Sequence, residues 1–176
     1  MRINRKLNIF FILMLLLFTN MHEVKAEEYS GSCGENVTYT FNTNTNTLII
    51  SGYGLMNDYS DIWCAPWDSQ RELIKNVVIE NGVTSIGPFA FYYCENLSSI
   101  TISSSVTNIG DSAFYYCKNL TSITFPLSVT SIGDSAFEFC ENLTSITFPL
   151  SVTSIGDSAF QLTGCLRCML HRQLLQ

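Results

Sequence analysis

The sequence predicts a repeat solenoid, a horseshoe or rod of stacked 23-residue units that each supply one short parallel β-strand and one short helical turn. Three observations predict it. First, the chain aligns on itself: VVIENGVTSIGPFAFYYCENLSS begins at Val77, ITISSSVTNIGDSAFYYCKNLTS at Ile100, ITFPLSVTSIGDSAFEFCENLTS at Ile123 and ITFPLSVTSIGDSAF at Ile146. The last stretch repeats the start of the third unit letter for letter, which chance does not produce. Second, apolar residues alternate at the head of each unit. Third, a unit this short cannot bury its own apolar face, so neighbours must stack and layer isoleucine on isoleucine and phenylalanine on phenylalanine.

The strand is read from Leu120, Ile123 and Phe125, the L-x-x-L-x-L spacing of a leucine-rich repeat, with equivalents at Leu97, Ile100, Ile102 and at Leu143, Ile146, Phe148. Alternation sends Ile123 and Phe125 inward and Thr124 outward. Val129 and Ile132 add two further inward positions. Gly133 followed by Asp134, Ser135, Ala136 and Phe137 then predicts a turn opening a short helix. Asp134 is placed to cap the free N–H groups of that helix, as are Asp111 and Asp157 in their units. Pro88 stands at this place in the first unit, where a missing N–H costs nothing. Ala136, Phe137 and Cys140 are expected to share the inward face. Repeats thus occupy 77–160, as units at 77–99, 100–122 and 123–145 with a partial copy at 146–160. This is near the minimum of about three copies needed for stability.

Residues 1–26 read as a secretory signal: Arg2, Arg5 and Lys6 form a basic start, Ile9 to Phe18 an apolar run, and Ala26 a small exit residue. That run reaches only about 15 Å as a helix, half the thickness of a bilayer core, so it does not read as a membrane anchor. Residues 27–76 do not repeat and read as an N-terminal cap. Val37, Tyr39 and Phe41 alternate, Leu48 and Ile50 alternate, and the polar stretch between them predicts a β-hairpin. Pro66 to Leu73 suits a short helix, with Trp63 and Trp67 large enough to cover apolar repeat surface. After Phe160 the pattern fails, and 161–176 reads as an irregular tail from a truncated or frameshifted repeat, leaving an open sheet edge.

Removing the signal takes away four of nine basic residues and one of fifteen acidic ones, leaving five against fourteen and a net charge of −9. That charge repels phosphate backbones and anionic lipid, which excludes nucleic acid as an expected partner. No later stretch approaches the length of a membrane span. His171 is the only histidine after the signal, so the usual general base and any histidine triad are missing, and no catalytic residue, metal ligand set or cofactor is expected. The pair Cys165 and Cys168 is a lone C-x-x-C, too few ligands for zinc, and reads as accidental.

The string VTSIGDSAFEFCENLTSITFP resembles the repeat of BspA-like, or treponemal-type, leucine-rich-repeat surface proteins. The shared marks are Ile132 and Gly133, Ala136 and Phe137, Cys140, Leu143, and Pro126 or Pro149 after the strand, and they span residues 77 to 160. The resemblance implies an exported, secreted or cell-surface protein that binds host proteins, extracellular matrix or other cells, and it brings no catalytic residues. A structural spacer, or a nonfunctional fragment of a longer surface adhesin array, is the alternative.

Two surfaces are candidates for such a ligand. Ser99, Thr101, Ser122, Thr124, Ser145 and Thr147 should point outward from the strands as a hydroxyl-lined concave face. Tyr92, Tyr93, Tyr115, Tyr116 and Phe139 should line the turns, partly exposed. Both rows arise automatically from duplication of one unit, so neither identifies a partner. Cys33 and Cys64 both fall in the cap, where a bridge would close a loop of about 30 residues and contribute roughly 3 to 4 kcal/mol. Cys94, Cys117 and Cys140 recur with the repeat and read as a packed thiol column. Asn36, Asn96, Asn119 and Asn142 each begin an N-x-Ser/Thr sequon, the last three recurring because the repeat recurs.

Overall fold

The structure, a computed structural model, describes residues 27–59 and 64–165. The expected signal at 1–26, Trp63, Cys168 and His171 lie outside the described residues.

The cap opens with β1 (Glu28–Ser32), β2 (Val37–Asn42) and β3 (Thr47–Gly52), an antiparallel meander. Phe41 faces Leu48 and Tyr39 faces Ile50 across the predicted hairpin, all four buried. Asn42 closes its loop by accepting the N–H groups of Asn44 and Thr45 at 3.0 and 3.1 Å. The far edge of β3 pairs in parallel with β4 (Asn76–Ile79), which pairs in parallel with β6 (Ser99–Ile102), so cap and repeats share one sheet. Val77 lies opposite Ile100. β8 (Ser122–Thr124) and β10 (Ser145–Thr147) continue the stack as a parallel pair, with Ile123 opposite Ile146. The ladder is interrupted between β6 and β8, where the inner Ile102 of one unit gives way to the bulkier Phe125 of the next.

Each unit makes a second strand that the sequence reading did not contain. β5 (Ser85–Ile86), β7 (Asn108–Ile109), β9 (Ser131–Ile132) and β11 (Ser154–Ile155) form a continuous four-stranded parallel sheet. Two residues are too few for alternation to register as a strand. Val106, Val129, Ile109 and Ile132 are buried at this level, as their spacing predicted.

The expected helix is not formed. Residues 111–116 and 134–139 are turns, broken by left-handed residues at Ser112 (φ 51°) and Tyr116 (φ 64°), and at Ser135 (φ 52°) and Phe139 (φ 60°). Such conformations are unfavourable for residues other than glycine. Here they are compensated, because each turns its N–H along the solenoid axis toward the next layer. Ser112, Phe114 and Tyr116 donate to the carbonyls of Asp134, Ala136 and Glu138, each at 2.8 Å, and Ser135, Phe137 and Phe139 donate to Asp157, Ala159 and Gln161 at 2.7, 2.8 and 3.0 Å. A helix would direct those N–H groups back into its own turn and forfeit the inter-layer bonds. The aspartates accordingly cap no helix. Asp111 Oδ1 accepts the N–H of Asp134 at 2.8 Å, and Asp134 Oδ1 accepts that of Asp157 at 2.6 Å, one layer stitched to the next.

The core is a stack of rings. Phe91, Phe114, Phe137 and Phe160 follow at centroid separations of 5.1, 5.0 and 5.3 Å with interplanar angles of 18°, 8° and 3°. Trp67 closes the column on the cap side, stacked on Phe91 at 5.6 Å, with its Nε1–H donating to Ala90 O at 2.9 Å. It is held there by the predicted short helix, a 3-10 turn at Asp68–Leu73. At the other end the turn does not stop at Phe160. Leu162 has φ 56°, repeating Phe139, and Gln161 O accepts the Phe139 N–H, so the backbone keeps the repeat path where the side-chain pattern has lapsed.

Candidate functional site

Two faces of opposite character flank the core. On the outer face of the strand sheet, Ser99, Thr101, Ser122, Thr124, Ser145 and Thr147 are all exposed, as the alternation predicts. Thr38 and Thr40 on β2 and Ser30 and Ser32 on β1, which the sequence reading did not include, carry hydroxyls on the same face of the cap, separated from Thr101 by Ile49 and Val78. At its margin Thr101 and Ser103 line a shallow open groove with Glu80 and Asn81.

The turn face is aromatic. Tyr92 stacks on Tyr115 at 4.9 Å and 11°, and Tyr93 stacks on Tyr116 at 4.4 Å and 22°, giving two parallel columns. Phe139 meets Tyr115 edge-on at 5.3 Å and Tyr116 at 5.8 Å. Sequence-adjacent residues on a helix do not face one another. The left-handed Tyr93 (φ 57°) instead brings its ring to 4.8 Å from that of Tyr92, so both columns lie side by side and half-exposed. Burial raises the Tyr92 and Tyr115 phenol pKa values, with neighbouring phenols and the Glu138 carboxylate adding to it.

Two residues on this face were not singled out from the sequence. Lys118 sits with Nζ 4.0 Å above the centre of the Tyr116 ring and 3.9 Å from Glu95 Oε2. Glu138 continues the Tyr92–Tyr115 column one layer on. The available signal was departure from the repeat: Glu95, Lys118 and Glu141 share one unit position, and Tyr92, Tyr115 and Glu138 another.

The repeat cysteines are structural. Cys94, Cys117 and Cys140 are buried free thiols, and the Sγ–H groups of Cys117 and Cys140 donate to Phe91 O and Phe114 O at 3.2 and 3.1 Å. The bridge expected between Cys33 and Cys64 is not formed: both carry free thiols, Cys33 sealed in the cap core and Cys64 exposed to solvent. Cys165 is buried and disulfide-bonded, so its sulfur is not an available metal ligand. Burial pushes the thiols of Cys33, Cys94 and Cys140 up to about 12. Alkylation of the native protein at mildly alkaline pH is therefore expected to label Cys64 and spare Cys33, Cys94, Cys117 and Cys140 until denaturant is added; peptide mass mapping reads this directly. The same shifts contribute to alkaline destabilisation. An unfolded thiol ionises near pH 9 and a buried one near 12, so the unfolded chain holds fewer protons across that window. Stability should fall there by up to about 1.4 kcal/mol per pH unit for each thiol, and be independent of these groups below it.

Three of the four sequon asparagines stitch layers together. Asn96 Nδ2 donates to Glu72 O at 2.8 Å, Asn119 Nδ2 to Asn96 Oδ1 at 3.4 Å, and Asn142 Nδ2 to Lys118 O at 2.9 Å. Asn36 is exposed in the β1–β2 turn, its carbonyl accepting the Tyr53 N–H. Among the described residues no group of three or more metal-capable side chains converges, and no helix is long and apolar enough to cross a membrane.

Comparison with known proteins agrees with this architecture. A leucine-rich repeat protein from Bacteroides ovatus is 38% identical over 54% of this chain, with a TM-score of 0.50. The leucine-rich repeat protein of T. pallidum is 24% identical, matches 77% of this chain and 69% of its own, and has a TM-score of 0.55. A leucine-rich repeat protein from Eubacterium ventriosum is 20% identical over 77% of this chain with a TM-score of 0.47. The chain spans 63% of the E. ventriosum protein and 24% of the B. ovatus protein. Among curated proteins none matches. The family profile described as "BspA type Leucine rich repeat region (6 copies)" matches residues 69–172, beginning before Val77 and running past Phe160 into the tail. More than half of the chain lies within that match, and the chain belongs to the BspA-type leucine-rich repeat family.

Proposed function

We propose that this chain is an exported binding module that contacts extracellular or host-surface proteins through its solenoid faces, without turnover. One observation carries the reading: the half-exposed, doubly stacked row of Tyr92, Tyr93, Tyr115 and Tyr116, with Phe139 tilted against its end. Buried Phe114 and Phe137 already fill the core, so these rings are not needed to close it. Tyrosine held rigid by neighbours offers large contact area at small entropic cost and is favoured at protein interfaces. Membership in the family and the signal-like residues 1–26 support export. The sheet face supports the same use through regularly spaced hydroxyls.

The test is binding of purified protein beginning at Glu27 to immobilised matrix proteins and to host cells. Saturable binding that a Tyr93→Ala/Tyr116→Ala variant weakens, with the fold retained by circular dichroism, is the expected result. Failure to bind any matrix protein or cell would favour a spacer role.

A further inference from the structure

We infer that the aromatic turn face receives a lysine- and arginine-rich segment of a partner protein. This deepens the binding role proposed above and rests on it.

Charge is segregated between the two faces. From Val77 to Cys165 there are seven acidic residues and one basic residue, Lys118. Glu80 alone among the acids lies at the margin of the hydroxyl sheet. Glu95, Asp111, Asp134, Glu138, Glu141 and Asp157 all fall on the turn segments. The duplicated unit order puts Asp111, Asp134 and Asp157 in a column before the tyrosines, and Glu95, Lys118 and Glu141 in a column after them. Acids thus precede or follow the rings in each repeat, with Lys118 the one basic residue among them. Asp111 and Asp134 each direct one oxygen to a backbone N–H of the next layer and remain exposed.

The chain displays the fit itself. The Lys118 ammonium lies over the Tyr116 ring and beside the Glu95 carboxylate, a cation held by a ring face and an acid together. Its pKa is raised, first by the contact with Tyr116 and, beyond that, by Glu95 and Glu141. One layer on, Phe139 stands in place of Tyr116 and Glu141 in place of Lys118; one layer back, Tyr93 and Glu95 stand there. Each neighbouring layer again sets an aromatic ring two residues before an acid, Tyr93 before Glu95 and Phe139 before Glu141, in layers about 4.8 Å apart. A row of rings with acids alongside them in successive layers suits a string of cations on one peptide rather than a single small ammonium. The net charge of −9 after the expected signal excludes polyanions from the same surface and steers a cationic segment toward it.

Fluorescence anisotropy of the protein with a labelled arginine- and lysine-rich nonapeptide, and with neutral and acidic nonapeptides of equal length, tests this. The basic peptide is expected to bind and the others not, with affinity falling steeply as salt is raised. Glu138→Gln/Glu141→Gln should weaken binding about tenfold by removing two nearby charges without changing side-chain size. Phe139→Leu should weaken it a few-fold with the melting curve unchanged. Lys118→Gln removes the internal competitor and should tighten it a few-fold. Glu80→Gln, on the other face, should leave it unaltered. Equal binding of basic and neutral peptides, or full affinity in the Glu138→Gln/Glu141→Gln variant, overturns the inference. If a matrix ligand is found whose binding ignores salt and these substitutions, the inference fails while the binding role stands. If neither the peptides nor any matrix protein binds, both fail.

Discussion

Phe114→Ala is expected to lower the unfolding free energy by about 3–5 kcal/mol, read as a shift in the urea midpoint at unchanged slope. The ring is fully buried and lies 5.1 Å from Phe91 and 5.0 Å from Phe137. Its removal leaves a gap that the neighbours cannot close. The separation of the layers is set by backbone bonds on either side of the ring, including Phe91 N–H to Ala113 O and Phe114 N–H to Ala136 O, both 2.8 Å. A cavity that cannot collapse costs the lost contacts in addition to the transfer energy. Since whole domains of this size hold only about 5–15 kcal/mol, one such change removes much of the margin. Tyr115→Ala, next in sequence but half-exposed, should cost much less. Equal losses at the two positions would show that the buried column is not what holds the layers together.

Gly133→Ala should be as damaging although it adds a single methyl group. The added Cβ would fall onto Asp111 Oδ1, 2.6 Å from the Asp111 backbone nitrogen and 2.8 Å from the Gly110 carbonyl carbon. A side chain could swing away, but backbone of the preceding layer cannot. Gly133 N–H donates to Ile109 O at 2.8 Å, so relief requires opening the second sheet where it is continuous. Overpacking usually costs about 1–3 kcal/mol, and a clash against fixed backbone belongs at or beyond the top of that range. The melting temperature should drop by several degrees or the chain should fail to accumulate. Gly54→Ala provides the contrast: nothing lies within 4 Å of its added Cβ, and only its positive φ of 96° opposes the change.

The repeat was legible because duplication turns a weak local pattern into a strong one. Ile123, Phe125, Val129 and Ile132 recur at matching positions, and all four are buried. The cap hairpin was legible from alternation in Val37–Phe41 and Leu48–Ile50. The turn was misread for a physical reason. Gly133-Asp134-Ser135-Ala136 has the local chemistry of a helix start, but a bond to the next layer competes with a bond to the same turn. Which prevails depends on neighbours that a window of local sequence does not contain. The two-residue strands escaped because they are shorter than any period. The aromatic row was visible as a consequence of copying, whereas its polarity was not. The acids acquire meaning only once stacking sets Glu95, Lys118 and Glu141 in one column. The Cys33–Cys64 bridge was inferred from shared membership of the cap, and the structure gives the two sulfurs different environments.

Because each layer meets the next through the same partners, the rod is editable in whole increments. Excising residues 100–122 would set Phe91 against Phe137 and offer Ile86 O to Gly133 N–H, contacts of the same type as before, and would move the Ile-to-Phe junction of the strand ladder to Ile79 and Phe125. A tandem array of this kind can therefore gain copies without disturbing the layers already present, while loss of a copy is limited by the minimum of about three that stability needs. Reach, and the number of side chains displayed along it, become heritable variables that change in steps of 23 residues.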